Sequence, residues 1–99
     1  MSEDAVRVAP ESYKVLFENN DVRVLDVRLK KGGNSQTHSH PKSVVYCLND
    51  SKAKFTFPGG KSDSVDLKAG QTVWLDAVSH SVENTGPDEM RAVLVELKK

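Results

Sequence analysis

The stretch GGNSQTHSHPKSVVYCL, residues 32–48, places His38 and His40 one residue apart, directly ahead of a run of β-formers. Gly33, Ser35, Gln36 and Thr37 read as loop, and Val44 to Leu48 read as strand. In an extended segment residues i and i+2 share a face, so both imidazoles point the same way, roughly 7 Å apart at the backbone. At that separation two rings can converge on one ion. The same spacing also fits two solvated loop histidines, so the rest of the chain has to decide.

The chain carries one further histidine, His80, in DAVSHSVENTG (residues 76–86). It reads as the end of the strand begun by GQTVWL, so that every histidine falls at a strand end beside a turn. Two close ligands and one distant one are the usual layout of a metal site on a β-scaffold: the close pair fixes one edge, and another strand brings the third.

The intervening sequence supports such a scaffold. Turn signals recur at ENND (18–21), KKGGNS (30–35), LNDSK (48–52), FPGGKSDS (57–64), KAG (68–70) and NTGPDE (85–89 with Asn84). Short β-rich runs separate them. Val22 to Leu29 alternates, with a phase slip near Leu25 that predicts a bulge. Phe55 and Phe57 alternate with polar neighbours, as do Val65 and Leu67. Val73 to Leu75 and Ala92 to Leu97 are denser, as in strands packed on both sides. No stretch carries a helical period. Seven or eight short strands at this spacing predict an all-β sandwich or small barrel. Residues 1–12 read as an amino-terminal arm, loose or added as an edge strand through Val6 and Val8, and residues 13–99 as the domain.

Composition narrows the function. Of 99 residues, 37% are hydrophobic and 28% charged, an ordinary globular balance. Fourteen basic residues cancel fourteen acidic ones, so no charge excess points to nucleic acid or an anionic membrane. No apolar run approaches the ~20 residues that span a bilayer. The start MSEDAVRVAP has no basic region or apolar core of a secretory signal, and the single cysteine, Cys47, cannot form an internal disulfide. The expected location is cytoplasmic.

Gly32, His38 and His40, with Pro41 and the apolar strand after them, resemble the first motif of the cupin family. Gly70, His80 and Asn84 match the ends of the second, and HSVENTGPDEMRAVLVEL (residues 80–97) is similar to the family's closing strands. The resemblance covers residues 13–97. It implies a single jelly-roll β-barrel with one metal inside the mouth, held by His38, His40 and His80. Two departures stand out. The family's glutamate ligand is missing, since Pro41, Lys42, Ser43, Val44 and Val45 include no carboxylate. DAVS replaces the Pro-x-Gly turn, and the Gly70–His80 spacing is one residue short.

Three neutral imidazoles leave the full 2+ charge on a bound ion and leave positions open for water or substrate. Cupin enzymes with three histidines include thiol dioxygenases and diketone-cleaving dioxygenases that use ferrous iron. The resemblance therefore implies a dioxygenase-like enzyme with one divalent transition metal per chain, Fe(II) first and Zn, Ni, Mn or Cu as alternatives. Its substrate would be a small anionic chelator. The alternative is a non-catalytic metal- or ligand-binding and sensing module, favoured by the lack of an evident general base; no residue reads as catalytic.

Other residues carry plainer readings. Cys47 shares a face with Val45, opposite Tyr46, as a small apolar filler. Trp74 reads as core or interface, Lys42 as a solvated cation, Asp76 as a turn former, Asn84 as the anchor of the closing turn, and Glu83 as surface. A barrel this small buries only ~60–65% of its unfolded surface, so a homodimer through an exposed edge strand, around Val6 and Val8, is expected.

Overall fold

The structure, a computed structural model, describes residues 4–98; the first three residues of the arm lie outside them. Nine strands follow one turn of helix: α1 (Ala5–Val8), β1 (Tyr13–Glu18), β2 (Val22–Leu29), β3 (Asn34–His40), β4 (Ser43–Cys47), β5 (Ser51–Thr56), β6 (Ser62–Leu67), β7 (Thr72–Leu75), β8 (Val78–Asn84) and β9 (Met90–Leu97). They form two antiparallel sheets. The larger has the order β1-β2-β9-β4-β7 and the smaller β3-β8-β5-β6. This is the expected all-β jelly roll, flattened into two facing sheets rather than closed into a continuous barrel. No described helix is long and apolar enough to cross a membrane.

The core lies between the sheets. One cluster joins Ala5, Ala9, Tyr13, Leu25, Val27, Ala92 and Leu94, and a second joins Leu29, Ala53, Val82 and Met90. Their strands alternate faithfully: β9 buries every second residue, starting at Met90. Before β3, Gly32 holds φ at 71°, a left-handed value that a β-carbon disfavours. At Gly33 an added Cβ would lie 2.8 Å from the Lys30 carbonyl. These glycines set the turn that delivers the histidine strand.

Several expectations need correction. Residues 34–37 belong to β3 rather than to a loop. His80 lies within β8, a separate strand from the GQTVWL strand β7. The β2 strand runs in unbroken register against β9, and the irregularity falls on β1, between Val15 and Phe17. What looked like a slip is Arg23, a charge on the inward phase with Leu25, Val27 and Leu29.

The arm is not an edge strand. Residues 5–8 form a helical turn because Ala5 and Ala9, four apart, present one face of small side chains and are fully buried in the first cluster. The alternation of Val6 and Val8 suggested a strand, but the alanines decide the packing. Trp74 is neither core nor pocket in the single chain: it is 52% exposed, and its Nε1 donates to Asp76 Oδ1 at 3.0 Å. Asn84 does anchor the closing turn. Its Nδ2 donates to the carbonyls of Leu29 and Asp88, and its Oδ1 accepts from the Gly86 amide.

Candidate metal centre

Backbone geometry brings the histidines together in two ways. His38 and His40 share the inward face of β3 by their i, i+2 spacing. His80 joins them because β8 pairs with β3 so that His38 and His80 stand directly opposite. All three are buried, and one ring nitrogen from each lies within 4.8 Å of the others. Ring centroids are 4.7 Å apart for His38–His40, 5.0 Å for His38–His80 and 5.4 Å for His40–His80, all edge-on.

Hydrogen bonds fix which nitrogens are available. His38 Nδ1 lies 2.6 Å from the Gln36 carbonyl oxygen, which can only accept, so Nδ1 carries the proton. His40 Nδ1 likewise donates to Glu96 Oε2 at 2.7 Å. Both rings therefore leave Nε2 without a proton. The Nε2 atoms of His38 and His80 are buried and have no hydrogen-bond partner. Buried ring nitrogens without a partner are uncommon in folded proteins, and a metal ion satisfies them. Burial pushes the His38 pKa down to about 4 and that of His80 to about 3, so both rings are neutral near pH 7, the form a metal needs. The donor set fits a divalent transition metal.

Glu96 is the residue that sequence reasoning missed. It stands on β9 of the larger sheet, 2% exposed, and faces the histidines of the smaller one. Its Oε1 accepts from Arg23 Nε at 2.9 Å, and Arg23 in turn pairs with Asp4. The hydrogen bonds from Arg23 hold the Asp4 carboxyl below its ordinary range. The carboxylate absent from the ligand positions thus returns one hydrogen bond behind His40, where such partners orient the ring and fix its tautomer. The signal was present in the sequence: Glu96 shares the buried phase of β9 with Ala92 and Leu94, and Arg23 the buried phase of β2. Opposite charges on the inward phases of adjacent strands mark a buried ion pair.

The other flank is apolar. Phe55 stacks on His80 at 5.1 Å. Tyr13 packs edge-on against His38 at 4.9 Å and His40 at 5.5 Å, and burial pushes its phenol up to about 12. A cavity of about 60 Å³ reaches His40 and His80, walled chiefly by Phe55, Val82, Met90 and Leu94. Val45 lines it as well, whereas Val44 points to the opposite face of its strand. Cys47, buried beside Ala92, does not line it. Lys42 and Glu83 are exposed, as read from the sequence.

No protein-family model matches the chain, and no curated protein matches it significantly. Solved structures do. A cupin domain from Bordetella pertussis is 27% identical over 88% of this chain and 92% of its own, with a TM-score of 0.80. A protein with a double-stranded β-helix domain from Klebsiella pneumoniae is 23% identical over 95% and 84%, at 0.69. An RmlC-like cupin family protein from Methanocaldococcus jannaschii is 14% identical over 86% and 77%, at 0.68. The strand order of the two sheets and the likeness to these solved domains show that the chain has the cupin fold.

Proposed function

We propose that His38, His40 and His80 hold one divalent transition metal, ferrous iron first among the candidates, and that the centre performs dioxygenase-type chemistry on a small chelating anion. The observation that carries this reading is the convergence of three buried imidazole nitrogens, two of them without any other partner. A bound ion would supply a Lewis-acid centre and, as ferrous iron, a route for electrons to dioxygen.

The chain's own residues set the substrate. Asp4, Arg23 and Glu96 together contribute one net negative charge behind His40, so a divalent centre retains an excess of one positive charge. That balance suits a monoanion. The cavity of about 60 Å³ admits only a few non-hydrogen atoms beyond the chelating group, and its walls favour an apolar body. Glu96 holds the His40 ring with its proton on Nδ1, and Phe55 and Val82 exclude water beside His80.

A specific observation favours the second reading, a binding module without turnover. Among the residues lining the cavity only the histidines and Tyr13 exchange protons, and the Tyr13 phenol is pushed up to about 12, too high for a base at neutral pH.

Metal analysis of the purified protein, then titration of the iron-loaded form with small thiol acids, β-diketones and neutral analogues, tests both readings. Expected are one ion per chain, metal-centred absorbance changes with the anions alone, and oxygen uptake with at least one of them. Tight anion binding without oxygen uptake selects the binding module. Equal affinity for neutral and anionic ligands overturns the charge argument.

A further inference from the structure

Asp4 stands at the N-cap of α1, where an aspartate ordinarily accepts from the amides of its own helix. Its carboxylate makes no such bond. It accepts instead from Nη1 and Nη2 of Arg23. Arg23 donates from Nε to Glu96 Oε1, with Nη2 at 2.7 Å from the same oxygen, and this leaves Oε2 for His40 Nδ1. Side-chain exposure falls along the series from 23% at Asp4 to 2% at His40. The arm thus holds the solvent end of a line that runs to a metal ligand.

The arm meets the centre in two further places. Asp4 forms a backbone bridge with Ser39, the residue between His38 and His40. Ala5 and Ala9 pack with Tyr13, whose ring lies edge-on against both of those histidines. Outside, Asp4 and Arg7 wall a surface basin that His40 also lines. A single helical turn such as α1 does not persist by itself, so these contacts are what hold it.

We propose, resting on the metal reading of the three histidines, that the arm is a strap whose docking and metal binding support each other, with Asp4 as the positioning residue. Two effects carry the coupling. Arginine and carboxylate favour a two-pronged pairing. With Asp4 in place, Arg23 is shared between two carboxylates, and Glu96 keeps Oε2 for His40. Without Asp4, Arg23 can close on both oxygens of Glu96 and compete with the imidazole. The second effect is charge. Arg23 and Glu96 cancel, and Asp4 brings the group to one net negative charge, which attracts a divalent ion more strongly than a neutral pair does. By linkage, the factor that docking adds to metal affinity is the factor that metal adds to docking.

Zinc, a redox-silent ion suited to three imidazoles, is the probe. Its affinity is read by competition with a chromophoric chelator. Docking is read by hydrogen exchange at the amides of Arg7, Val8 and Ala9, which bond to the Asp4 and Ala5 carbonyls. Asp4→Asn keeps the backbone bridge and the buried alanines, and should lower zinc affinity ~10-fold. Asp4→Glu should recover most of the loss. Asp66→Asn removes the same charge from an exposed position on β6 and should change nothing. In the wild type, zinc should slow exchange of the three amides by a similar ~10-fold, and by less in Asp4→Asn. If Asp4→Asn does not fold, the wild-type exchange with and without zinc decides. A purely structural Asp4–Arg23 pair would lower the urea midpoint and leave both zinc readouts in place, which overturns the proposal. So does an equal loss of affinity in Asp66→Asn, since general charge would then be the cause. A wild type that takes up no zinc removes the metal centre and the strap together. One that takes up zinc while its arm exchanges at an unchanged rate removes the strap and leaves the metal centre standing.

Discussion

The two flanks of the metal centre are built from opposite materials. Beside His40 runs a chain of charges, Glu96 to Arg23 to Asp4, each hydrogen-bonded to the next. Beside His80 there is carbon: Phe55 stacked on the ring and Phe57 tilted at 6.3 Å. One imidazole is aimed by a directional bond to a fixed anion, the other by shape alone. A centre made this way holds one ligand rigidly and gives the other an apolar neighbourhood in which a substrate can pack. It also separates two kinds of stability, since the charged flank matters to the fold with or without metal and the apolar flank mainly shapes the cavity.

The largest effects should come from the ligands themselves. His38→Ala, His40→Ala and His80→Ala should each lower metal affinity by a factor of ~1,000 or more, beyond the ~10–100-fold typical of losing an outer partner, as read by competition with a chromophoric chelator. The comparison sharpens in the metal-free protein. His40→Ala strips Glu96 of a buried donor and should cost ~1–3 kcal/mol in urea unfolding. His80→Ala removes a ring whose Nε2 had no partner, and should cost less. Equal losses would erase the distinction between the flanks.

Glu96 comes next. Glu96→Ala leaves Arg23 with only Asp4 and should destabilise the fold by ~3–5 kcal/mol. Glu96→Gln keeps the shape and part of the hydrogen bonding, and should weaken metal binding ~10–100-fold at a smaller cost to folding. A Gln variant with wild-type metal affinity would reduce the charged flank to a structural ion pair.

Acid should act through the buried rings. Unfolded, His38 and His80 titrate near 6.5; folded, burial holds them to about 4 and about 3. Below pH 6.5 the unfolded chain takes up protons that the folded metal-free chain refuses. Stability is therefore intact above that pH, falls as the pH drops through the window, and levels once the folded values are passed. Urea midpoints at pH 7.5, 6 and 4.5 should decline in that order, and His80→Ala should flatten the decline. The smallest effect belongs to Phe55→Leu, which removes the stack on His80 but keeps an apolar wall, at ~1.5 kcal/mol or less. A change of metal affinity beyond a few-fold would show that the stacked aromatic ring itself, and not an apolar wall of any shape, aims His80.

The sequence disclosed the histidines readily because their geometry is local or nearly so. The pair follows from strand periodicity alone, and His80 from its place in the second motif. Glu96 and Arg23 were harder, since their meaning depends on β2 and β9 being neighbours, and strands at opposite ends of the chain announce no partner. Of the two readings Trp74 carried, core or interface, the first fails within the single chain for a related reason: an aromatic in a dense strand argues for burial, but which face of β7 is covered depends on the other sheet. At the arm, four residues were too few for periodicity to separate a helical turn from a strand.

The position of β9 has a kinetic consequence. The last strand occupies the middle of the larger sheet, hydrogen-bonded to β2 on one side and β4 on the other. Until it is in place β2 and β4 have no common neighbour, and the larger sheet exists as two unconnected pairs. Its pairing with β2 joins Val22 to Leu97, about three quarters of the chain's length apart, and closing so long a loop ahead of any compensating contact is slow. The carboxylate that aims His40 rides on this same strand. During synthesis the three imidazoles are made before the residue that orients one of them, so the site gains its final geometry only with the closing step of folding.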